Sequence, residues 1–311
     1  MRVAATTANR VSRFGGGAGA AQAATGEGGA HRRLLPILLI VPLLLLMVAC
    51  FVWPLTSSLI NSLHPHSDSG PILGQWTLAN YRRLLDPFYL RVLWRTLRIS
   101  ATVSLLTAIL AYPVAWYAAT LRPVAQAWLL MVYITPWLVN VAVKAFGWSL
   151  LLSTTGIINR ALRGLGLIDA PLHLMLNETG VVIGLLHAHF LFVLLPLWAA
   201  LSGLDRRLLW AASSLGASRL ALWRDVILPL SRPALVSGVI INFMLNLAAF
   251  ATPALLGGSR VQLMSYIAYR VNLVDLNWEF GAAVAVAMLA ISMLLIVLAR
   301  RLGGLGRESV A

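Results

Sequence analysis

Charged residues are scarce in this sequence of 311 residues, because Asp, Glu, Lys and Arg together make up only 11% of it. Soluble domains carry about 25% charged residues. Hydrophobic residues reach 59%, and the mean hydropathy is +0.83. A water-soluble fold of this size would have to hide more apolar surface than it can bury. The composition therefore excludes an ordinary soluble domain and favours a membrane protein.

Lysine is almost absent, since Lys144 is the only lysine among 24 basic residues. A Walker A phosphate loop needs Gly-x-x-x-x-Gly-Lys-Ser/Thr, whose lysine reaches the phosphates of the nucleotide. Lys144 is followed by Ala145 inside an apolar segment, so the sequence contains no such loop. ATP hydrolysis by this chain through a P-loop is thereby excluded.

Cysteine is also nearly absent, and Cys50 alone excludes an intrachain disulfide and a cysteine-rich metal site. His187 and His189 point about 200° apart on a regular helix, so they cannot both ligate one ion. We therefore expect no metal site and no cofactor. The net charge of +14 comes from basic residues in short loops between apolar runs, which indicates lipid headgroups and partner proteins rather than nucleic acid.

Long apolar runs are abundant, and each is close to the roughly 20 residues that cross a 30 Å hydrocarbon core. They predict an all-α, polytopic membrane protein with six transmembrane helices, near residues 34–55, 96–119, 127–147, 180–200, 234–256 and 281–299. No Asp or Glu lies within these runs. This argues against an ion-coupled secondary transporter, because such transporters keep intramembrane carboxylates.

The remaining segments complete the expected organisation. Residues 1–33, rich in Ala, Gly and Arg, are expected to form a disordered cytoplasmic tail, although an Arg-rich, acid-poor leader also resembles an organelle transit peptide. The first transmembrane helix and an outer loop follow over 34–91, then a five-helix core over 92–300 and a cytoplasmic C-terminal tail over 301–311. With both termini inside, more basic residues lie on the cytoplasmic side than outside, as the positive-inside rule requires, but the bias is weak.

The segment between the fourth and fifth runs, 201–233, carries the most informative pattern. Asp205 is a suitable N-cap, and Gly216 can take the left-handed conformation that ends a helix. The sequence predicts a helix from Asp205, a break at Gly216 and a second short helix to about Asp225. An ordinary amphipathic pair of interfacial helices would show the same features. Four alanines offer a surface that another protein can approach closely: Ala211, Ala212, Ala217 and Ala221. Six larger side chains offer apolar anchors: Leu208, Leu209, Leu215, Leu220, Leu222 and Trp223.

The spacing within this loop is also informative, and it involves Ala211, Ala212, Gly216, Val226, Leu228 and Pro229. These residues resemble the EAA signature of bacterial ABC-importer permeases, Glu-Ala-Ala-x3-Gly-x9-Ile-x-Leu-Pro, without a gap. Trp210 stands where that family has Glu, and Val226 stands where it has Ile. Further stretches look like the spermidine/putrescine branch of the family, so that the resemblance covers roughly residues 76–300: they are 76–81, 84–87, 111–116, 156–159 and 253–258.

The resemblance implies the MetI-like helix bundle of these permeases and the function of a transmembrane permease subunit in an ATP-driven, binding-protein-dependent importer of the bacterial inner membrane. The implied solutes are polyamines of the spermidine/putrescine type; related branches move iron, phosphonates or other small solutes. Family members often carry an acid near Ala249, and its absence argues against a polycation. The implied partners are two cytoplasmic ATPase subunits, a second homologous permease subunit, an external or periplasmic solute-binding protein and membrane lipid.

In that family, the loop couples closure of the ATPase pair to the membrane helices, as a rigid-body transition. The resemblance therefore places the loop and both termini in the cytoplasm. The implied coupling residues are Trp210, Ala211, Ala212, Gly216, Ala217, Val226, Leu228 and Pro229.

Polar residues inside the apolar runs are the candidates for a solute path. Asn242 and Asn246 are four residues apart and share a helix face, so they either line such a path or hydrogen-bond a neighbouring helix. Asn140 is a further candidate for the path. Lys144 is expected to snorkel to the outer interface.

Two other functions remain open. An intramembrane enzyme would use His187, His189 and Glu178, but no spacing of nucleophile and base supports it. A passive channel would leave the EAA-like loop unexplained.

Overall fold

The computed structural model describes residues 28–67 and 74–303. Helices, and no strands, make up the regular structure of these residues. The helices are α1 (Gly28–Ser62), α2 (Ala79–Leu84), α3 (Pro87–Thr120), α4 (Pro123–Leu138), α5 (Val141–Leu152), α6 (Ile157–Gly164), α7 (Glu178–His189), α8 (Leu191–Ser202), α9 (Arg206–Ser214), α10 (Arg219–Leu222), α11 (Leu228–Ala248), α12 (Ala251–Leu256), α13 (Met264–Leu273) and α14 (Trp278–Gly303), with a π-helical turn at Trp223–Ile227 between α10 and α11. The predicted all-α class is confirmed.

The chain divides into two units, one ending at Ser57 and one starting at Ser58. Helix α1 begins at Gly28, so residues 28–33 of the expected N-terminal tail belong to a helix. The rest of that tail and the last eight residues of the C-terminal tail lie outside the described residues. In the second unit, helix α14 includes residues 301–303.

Six segments of the described chain fit a bilayer crossing. Five are long and apolar enough by themselves, and the sixth is the pair α7–α8, which is bent by 44°. The number agrees with the six predicted spans when the bent pair counts as one. The five single segments are Ile40–Ser62, Pro87–Thr120, Val141–Gly164, Arg219–Ala248 and Trp278–Ala299.

The predicted third span, 127–147, is wrong in its boundaries. Helix α4 ends at Leu138 and α5 begins at Val141, so the apolar run is interrupted. Pro136 lacks the N–H that would continue the helical ladder. The side chain of Asn140 then accepts a hydrogen bond from the Ala142 amide at 2.8 Å and starts a new helix.

The predicted fifth span, 234–256, crosses a break in the same way. Helix α11 begins earlier, at Leu228, and ends at Ala248. Ala249 is extended, with ψ of 124°, and the separate helix α12 follows. Hydropathy alone does not distinguish α11 and α12 from a single continuous helix, because both helices are apolar.

Helix α3 runs through the core of the second unit and contacts three buried clusters in succession. Near its start, Val92 packs with Phe280 of α14. Further along, Val103 packs with residues of α5, α7 and α12. Near its end, Ala111 and Ala115, both fully buried, face α8. Small side chains at this contact allow helices in a membrane bundle to approach closely.

A glycine permits α8 and α11 to approach closely. A Cβ atom added at Gly238 would lie 3.1 Å from the Phe192 carbonyl oxygen and 3.1 Å from the Val193 Cα atom. Both of these atoms belong to the backbone, so they can yield only if α8 moves. The position of α11, whose first turns belong to the 201–233 loop, is therefore set by direct backbone packing on α8.

Candidate functional site

The 201–233 loop starts as the sequence predicts. The Asp205 carboxylate accepts a hydrogen bond from the Arg207 amide at 2.8 Å and caps α9. Gly216 follows that helix with φ of +83°, in the left-handed region. The Ser218 hydroxyl then accepts from the Ala221 amide at 3.2 Å and caps α10. Both local predictions, the cap at Asp205 and the break at Gly216, are confirmed.

Beyond α10 the loop differs from the prediction. The second helix does not stop near Asp225, because α10 continues through the π-helical turn Trp223–Ile227 into α11. Pro229 follows the π-helical turn in the first turn of α11 and removes one N–H from the helical ladder there. The loop is therefore joined to the fifth span by continuous helical backbone.

The loop presents an outward apolar row. Leu215 is 89% exposed, Leu220 is 78% exposed and Trp210 is 67% exposed. Leu215 and Leu220 flank the turn at Gly216, where nothing in the described chain lies within 4 Å of an added Cβ atom. Exposed apolar side chains grouped in this way mark an interaction surface.

The inward side of the loop is fixed to the helix bundle by aromatic rings. The Trp223 ring lies 4.6 Å from the Trp116 ring and 5.6 Å from the Tyr112 ring, centroid to centroid. The Ser231 hydroxyl donates to the Ile227 carbonyl at 2.8 Å, so at 2.7 Å it accepts from the Tyr112 hydroxyl. The Trp223 end of the loop thus contacts α3, and Ser231 of α11 is hydrogen-bonded to α3 as well.

The other predicted coupling residues lie along the same segment. Ala211 is exposed, Ala212, Ala217 and Val226 are half-buried, and Leu228 is exposed beside Pro229. Trp210, which replaces the usual Glu, lines a cavity of about 250 Å³ together with Trp116 and Leu209. The indole is 67% exposed, so only part of it faces this cavity and Trp210 remains in the outward row.

Asn242 and Asn246 form a polar cluster inside the bundle, and both are fully buried. The Ser104 hydroxyl and the Asn246 side-chain amide both donate to Asn242 Oδ1, at 3.0 Å and 2.7 Å. His189 Nδ1 lies 2.8 Å from Asn246 Oδ1, which can only accept, so this imidazole carries its hydrogen on Nδ1. In this conformation the two asparagines therefore bind neighbouring helices, the alternative that the sequence left open.

The polar cluster also supplies a hydrogen-bond donor to a main-chain carbonyl at the bend between α7 and α8. The Val193 amide, which would serve the His189 carbonyl in an unbroken helix, donates to the Phe190 carbonyl at 3.2 Å instead. The side-chain amide of Asn242 donates to the His189 carbonyl at 2.9 Å. Membrane helices tolerate breaks where neighbours satisfy the freed backbone in this way.

The third predicted path residue, Asn140, lies elsewhere. It is an exposed N-cap of α5, and its hydrogen bond goes to the Ala142 amide and not to the polar cluster. The structure does not bring Asn140 into contact with Asn242 or Asn246 through any hydrogen bond of the described residues.

Glu178 and His187, which the hypothesis of an intramembrane enzyme requires to act together, are also separated from each other. Glu178 forms an ion pair with Arg98 and a second one with Arg95 at 3.5 Å. His187 accepts from the Trp148 indole N–H at 3.2 Å on Nδ1. His187 is nine residues after Glu178, about 13 Å along the same helix. Nothing here forms a nucleophile and base pair.

The comparison with known proteins decides the family. No protein-family model matches the chain. The spermidine/putrescine transport system permease protein PotB of Escherichia coli (strain K12) is 33% identical over 223 residues, which are 71% of this chain and 81% of that protein. The chain belongs to the ABC-importer permeases. PotB of Haemophilus influenzae is 32% identical over 220 residues, 71% of this chain and 77% of that protein.

The fold of this permease agrees with its family. In a crystal structure of a bacterial ABC transporter that imports the acidic polysaccharide alginate, one chain matches it with a TM-score of 0.75 at 15% identity. The match covers 89% of this chain and 98% of the other. The chain is therefore a multi-pass membrane protein with the helix bundle of an ABC-importer permease. Its similarity to the PotB permeases makes it a transport protein and not an enzyme.

Proposed function

We propose that this permease couples ATP hydrolysis to solute import through its 201–233 loop. The loop would seat in a groove of a cytoplasmic ATPase subunit, and the importer would contain two such subunits, a second homologous permease and an external or periplasmic solute-binding protein. The observation that carries the proposal is the two-sided character of the loop. Trp210, Leu215 and Leu220 face outward, while Trp223 is held against the bundle.

The continuity of the helical backbone supports the same mechanism. A force applied at Leu220 reaches α11 through the π-helical turn without crossing a flexible linker. It reaches α3 through the contact of Trp223 with Trp116. A rigid loop fixed to two spans converts movement of a partner into movement of membrane helices.

The coupling role sets the proposed topology. If the loop faces the ATPase, it lies in the cytoplasm, and an even number of spans on each side places both termini in the cytoplasm as well. The membrane would be the bacterial inner membrane. The distribution of arginines between the loops supports this orientation.

The proposed solute is a polyamine or a related small solute. The support is that the PotB relatives are named as spermidine/putrescine permeases and are similar over most of this chain. Iron, phosphonates and other small amines or anions belong to the range of solutes that the same machinery could carry.

Affinity purification from native membranes tests the assembly. The tagged permease should recover an ATPase in stoichiometric amounts, together with a second permease. Recovery of the chain alone after mild solubilisation would contradict the proposal.

Substitution of Gly216 tests the coupling step. Gly216→Glu forces a side chain onto a left-handed residue at the centre of the outward face, so solute-stimulated ATP hydrolysis should be lost while membrane insertion is retained. The matched control is Gly164→Glu in α6, where an added Cβ also meets nothing within 4 Å and where φ is not positive. Unchanged stimulation in Gly216→Glu would remove the coupling role from the loop.

A further inference from the structure

Three aromatic side chains lie together at the break in the fifth span. Phe250 follows the extended residue Ala249. Tyr266 and Tyr269 are three residues apart on α13 and therefore share a face of that helix. The Phe250 ring lies 4.4 Å from the Tyr269 ring and, nearly parallel to it, 6.3 Å from the Tyr266 ring, centroid to centroid. The break in α11 and the helix α13 thus bring three π-faces into one group.

The three rings are partly accessible, and the described chain places no cation on them. Tyr269 is 41% exposed, and the other two rings are half-buried. Among the described residues, a guanidinium lies over an aromatic ring at another place, where Arg83 covers Phe280. Arg270, the neighbour of Tyr269 in sequence, lies 3.8 Å from the Asp275 carboxylate. The ring cluster therefore contains no resident charge.

The opposite side of α13 fixes the position of the two tyrosines. Met264 and Ile267 are buried in a cluster with side chains of α3 and α14. The Met264 amide donates to the Thr96 hydroxyl at 3.0 Å, which ties the start of α13 to α3. The Ser265 hydroxyl donates to the Ala249 carbonyl at 2.6 Å, which ties α13 to the break itself. A ligand that binds the rings therefore meets a preformed site, which lowers the entropic cost of binding.

The end of α11 adds partial negative charge next to Phe250. The Ala249 amide donates back to the Asn246 carbonyl at 3.3 Å. No main-chain amide of the described residues donates to the carbonyls of Leu247 and Ala248. The C-terminus of a helix carries about half a negative charge. The positive end of α12 follows, but α12 has six residues and α11 has 21. In membrane transporters, carbonyls freed at such breaks coordinate cations.

The chemistry of this group suits an organic cation. No Asp or Glu lies in the sequence between Asp225 and Asp275, so the segment that carries the rings supplies no carboxylate. Aromatic faces attract an ammonium group through their quadrupole, and they also pack against the methylene groups bonded to it. A small inorganic cation has no methylene groups and prefers oxygen ligands. Rings and carbonyls together therefore select an alkylammonium group.

The position of the rings agrees with the entry of a solute. Helix α11 has 21 residues and is about 31 Å long, which matches the thickness of the hydrocarbon core. The break therefore lies at the opposite end of the fifth span from the 201–233 loop. In the proposed orientation that loop is cytoplasmic, so the rings lie on the outer side, where the solute arrives.

We propose that Phe250, Tyr266 and Tyr269 form a binding site for an alkylammonium group of the transported solute. This inference rests on the proposed function and deepens it, because it gives a polyamine a site although no acid stands near Ala249. The ammonium group of a phosphatidylethanolamine headgroup has the same chemistry, so the test separates the two sources.

A charge-selective labelling experiment tests the site without any assay of import. Cys50 is the only cysteine, so Cys50→Ser gives a clean background for Ala248→Cys, at an exposed position two residues before Phe250. The assembled importer, in phosphatidylglycerol nanodiscs, is treated with a cationic (trimethylammonioethyl) or a neutral (ethyl) methanethiosulfonate. The ratio of the cationic to the neutral rate measures the attraction of an alkylammonium group, and the neutral reagent corrects for access to the thiol.

Substitution of the rings provides the decisive comparison. Phe250→Leu combined with Tyr269→Leu should lower this ratio about fivefold, because two π-faces are lost. Tyr266→Phe and Tyr269→Phe retain the rings and should retain the ratio. Phe146→Leu removes an exposed ring of α5 and is the matched control, which should have no effect. An equal ratio with and without the Phe250 and Tyr269 rings would overturn the proposal.

The source of the ammonium group is distinguished by competition. Spermidine in the water phase should lower the cationic ratio when the rings are present and not in the Leu double variant, while phosphatidylethanolamine in the nanodisc should leave it unchanged. If the amine lipid lowers the ratio in this ring-dependent way, or spermidine does not, the assignment to the solute is overturned. Labelling needs neither ATP hydrolysis nor import, so these failures would leave the coupling role of the 201–233 loop intact.

Discussion

The side-chain amide of Asn242 donates to the main-chain carbonyl of His189 at 2.9 Å, and this bond joins α11 to the bend between α7 and α8. The same asparagine accepts from Ser104 of α3. One side chain therefore ties three spans together at the point where one of them is broken. An apolar residue there would remove the side-chain donor of the His189 carbonyl and the shared acceptor of Ser104 and Asn246.

Replacement of this asparagine should destabilise the permease. In Asn242→Ala the unsatisfied groups should cost about 1–2 kcal/mol, which corresponds to a thermal midpoint lower by roughly 2–6 °C. Thermal unfolding of the purified importer measures the effect. Thr135→Ala is the matched control, because the Thr135 hydroxyl is exposed and donates only within its own helix. Equal midpoints for the two variants would contradict the prediction.

A second prediction concerns the contact of α11 with α8. Gly238→Ala should force the backbones apart and cost about 1–3 kcal/mol, since the new methyl group meets main-chain atoms at 3.1 Å. The same substitution at Gly147 in α5 has open space and should be neutral or stabilising, by up to about 1 kcal/mol. Thermal midpoints of the two variants should therefore shift in different ways. If Gly147→Ala lowered the thermal midpoint and Gly238→Ala did not, the assigned contact between α8 and α11 would be wrong.

The third prediction concerns the attachment of the loop. Trp223→Ala removes the ring contacts with Trp116 and Tyr112, so movement of the loop should reach α3 less completely. The number of solute molecules imported per ATP hydrolysed should fall several-fold in proteoliposomes. Trp94→Ala deletes an equally large but exposed ring on α3 and should leave this ratio unchanged. A normal ratio in Trp223→Ala would assign transmission to the helical backbone alone.

The fourth prediction concerns the outward face of the loop. Leu220→Asp places a charge among exposed apolar side chains, and binding of the ATPase should weaken about 100-fold, or roughly 2.7 kcal/mol. The amount of ATPase that copurifies with the tagged permease measures it. Leu165→Asp changes a similarly exposed leucine after α6, which is outside the loop, and should not affect copurification. Full recovery of the ATPase with Leu220→Asp would contradict the docking surface.

Local signals in the sequence were sufficient to predict the structure at the beginning of the 201–233 loop. The cap at Asp205 and the left-handed Gly216 depend on residue type and on immediate neighbours, which the sequence contains. The break between α4 and α5 had local signals as well, Pro136 and the capping Asn140, but the apolar run through them masked the interruption. Hydropathy measures how apolar a segment is and not whether its helix is continuous.

The interior contacts could not be predicted from the sequence. Asn242 and His189 are separated by more than fifty residues, and their contact depends on how α11 packs on the bent pair. The cavity lined by Trp137, Trp148 and His187 likewise forms only when α4, α5 and α7 are packed together.

Because Lys144 is the only lysine, it is also the only side chain of this permease that carries a primary amine. Acylating or alkylating reagents that modify such amines therefore have one internal target, in the first turn of α5 beside the Trp137 carbonyl. A fluorophore or isotope label attached in this way would report on a single interior position during the transport cycle, without any engineered residue.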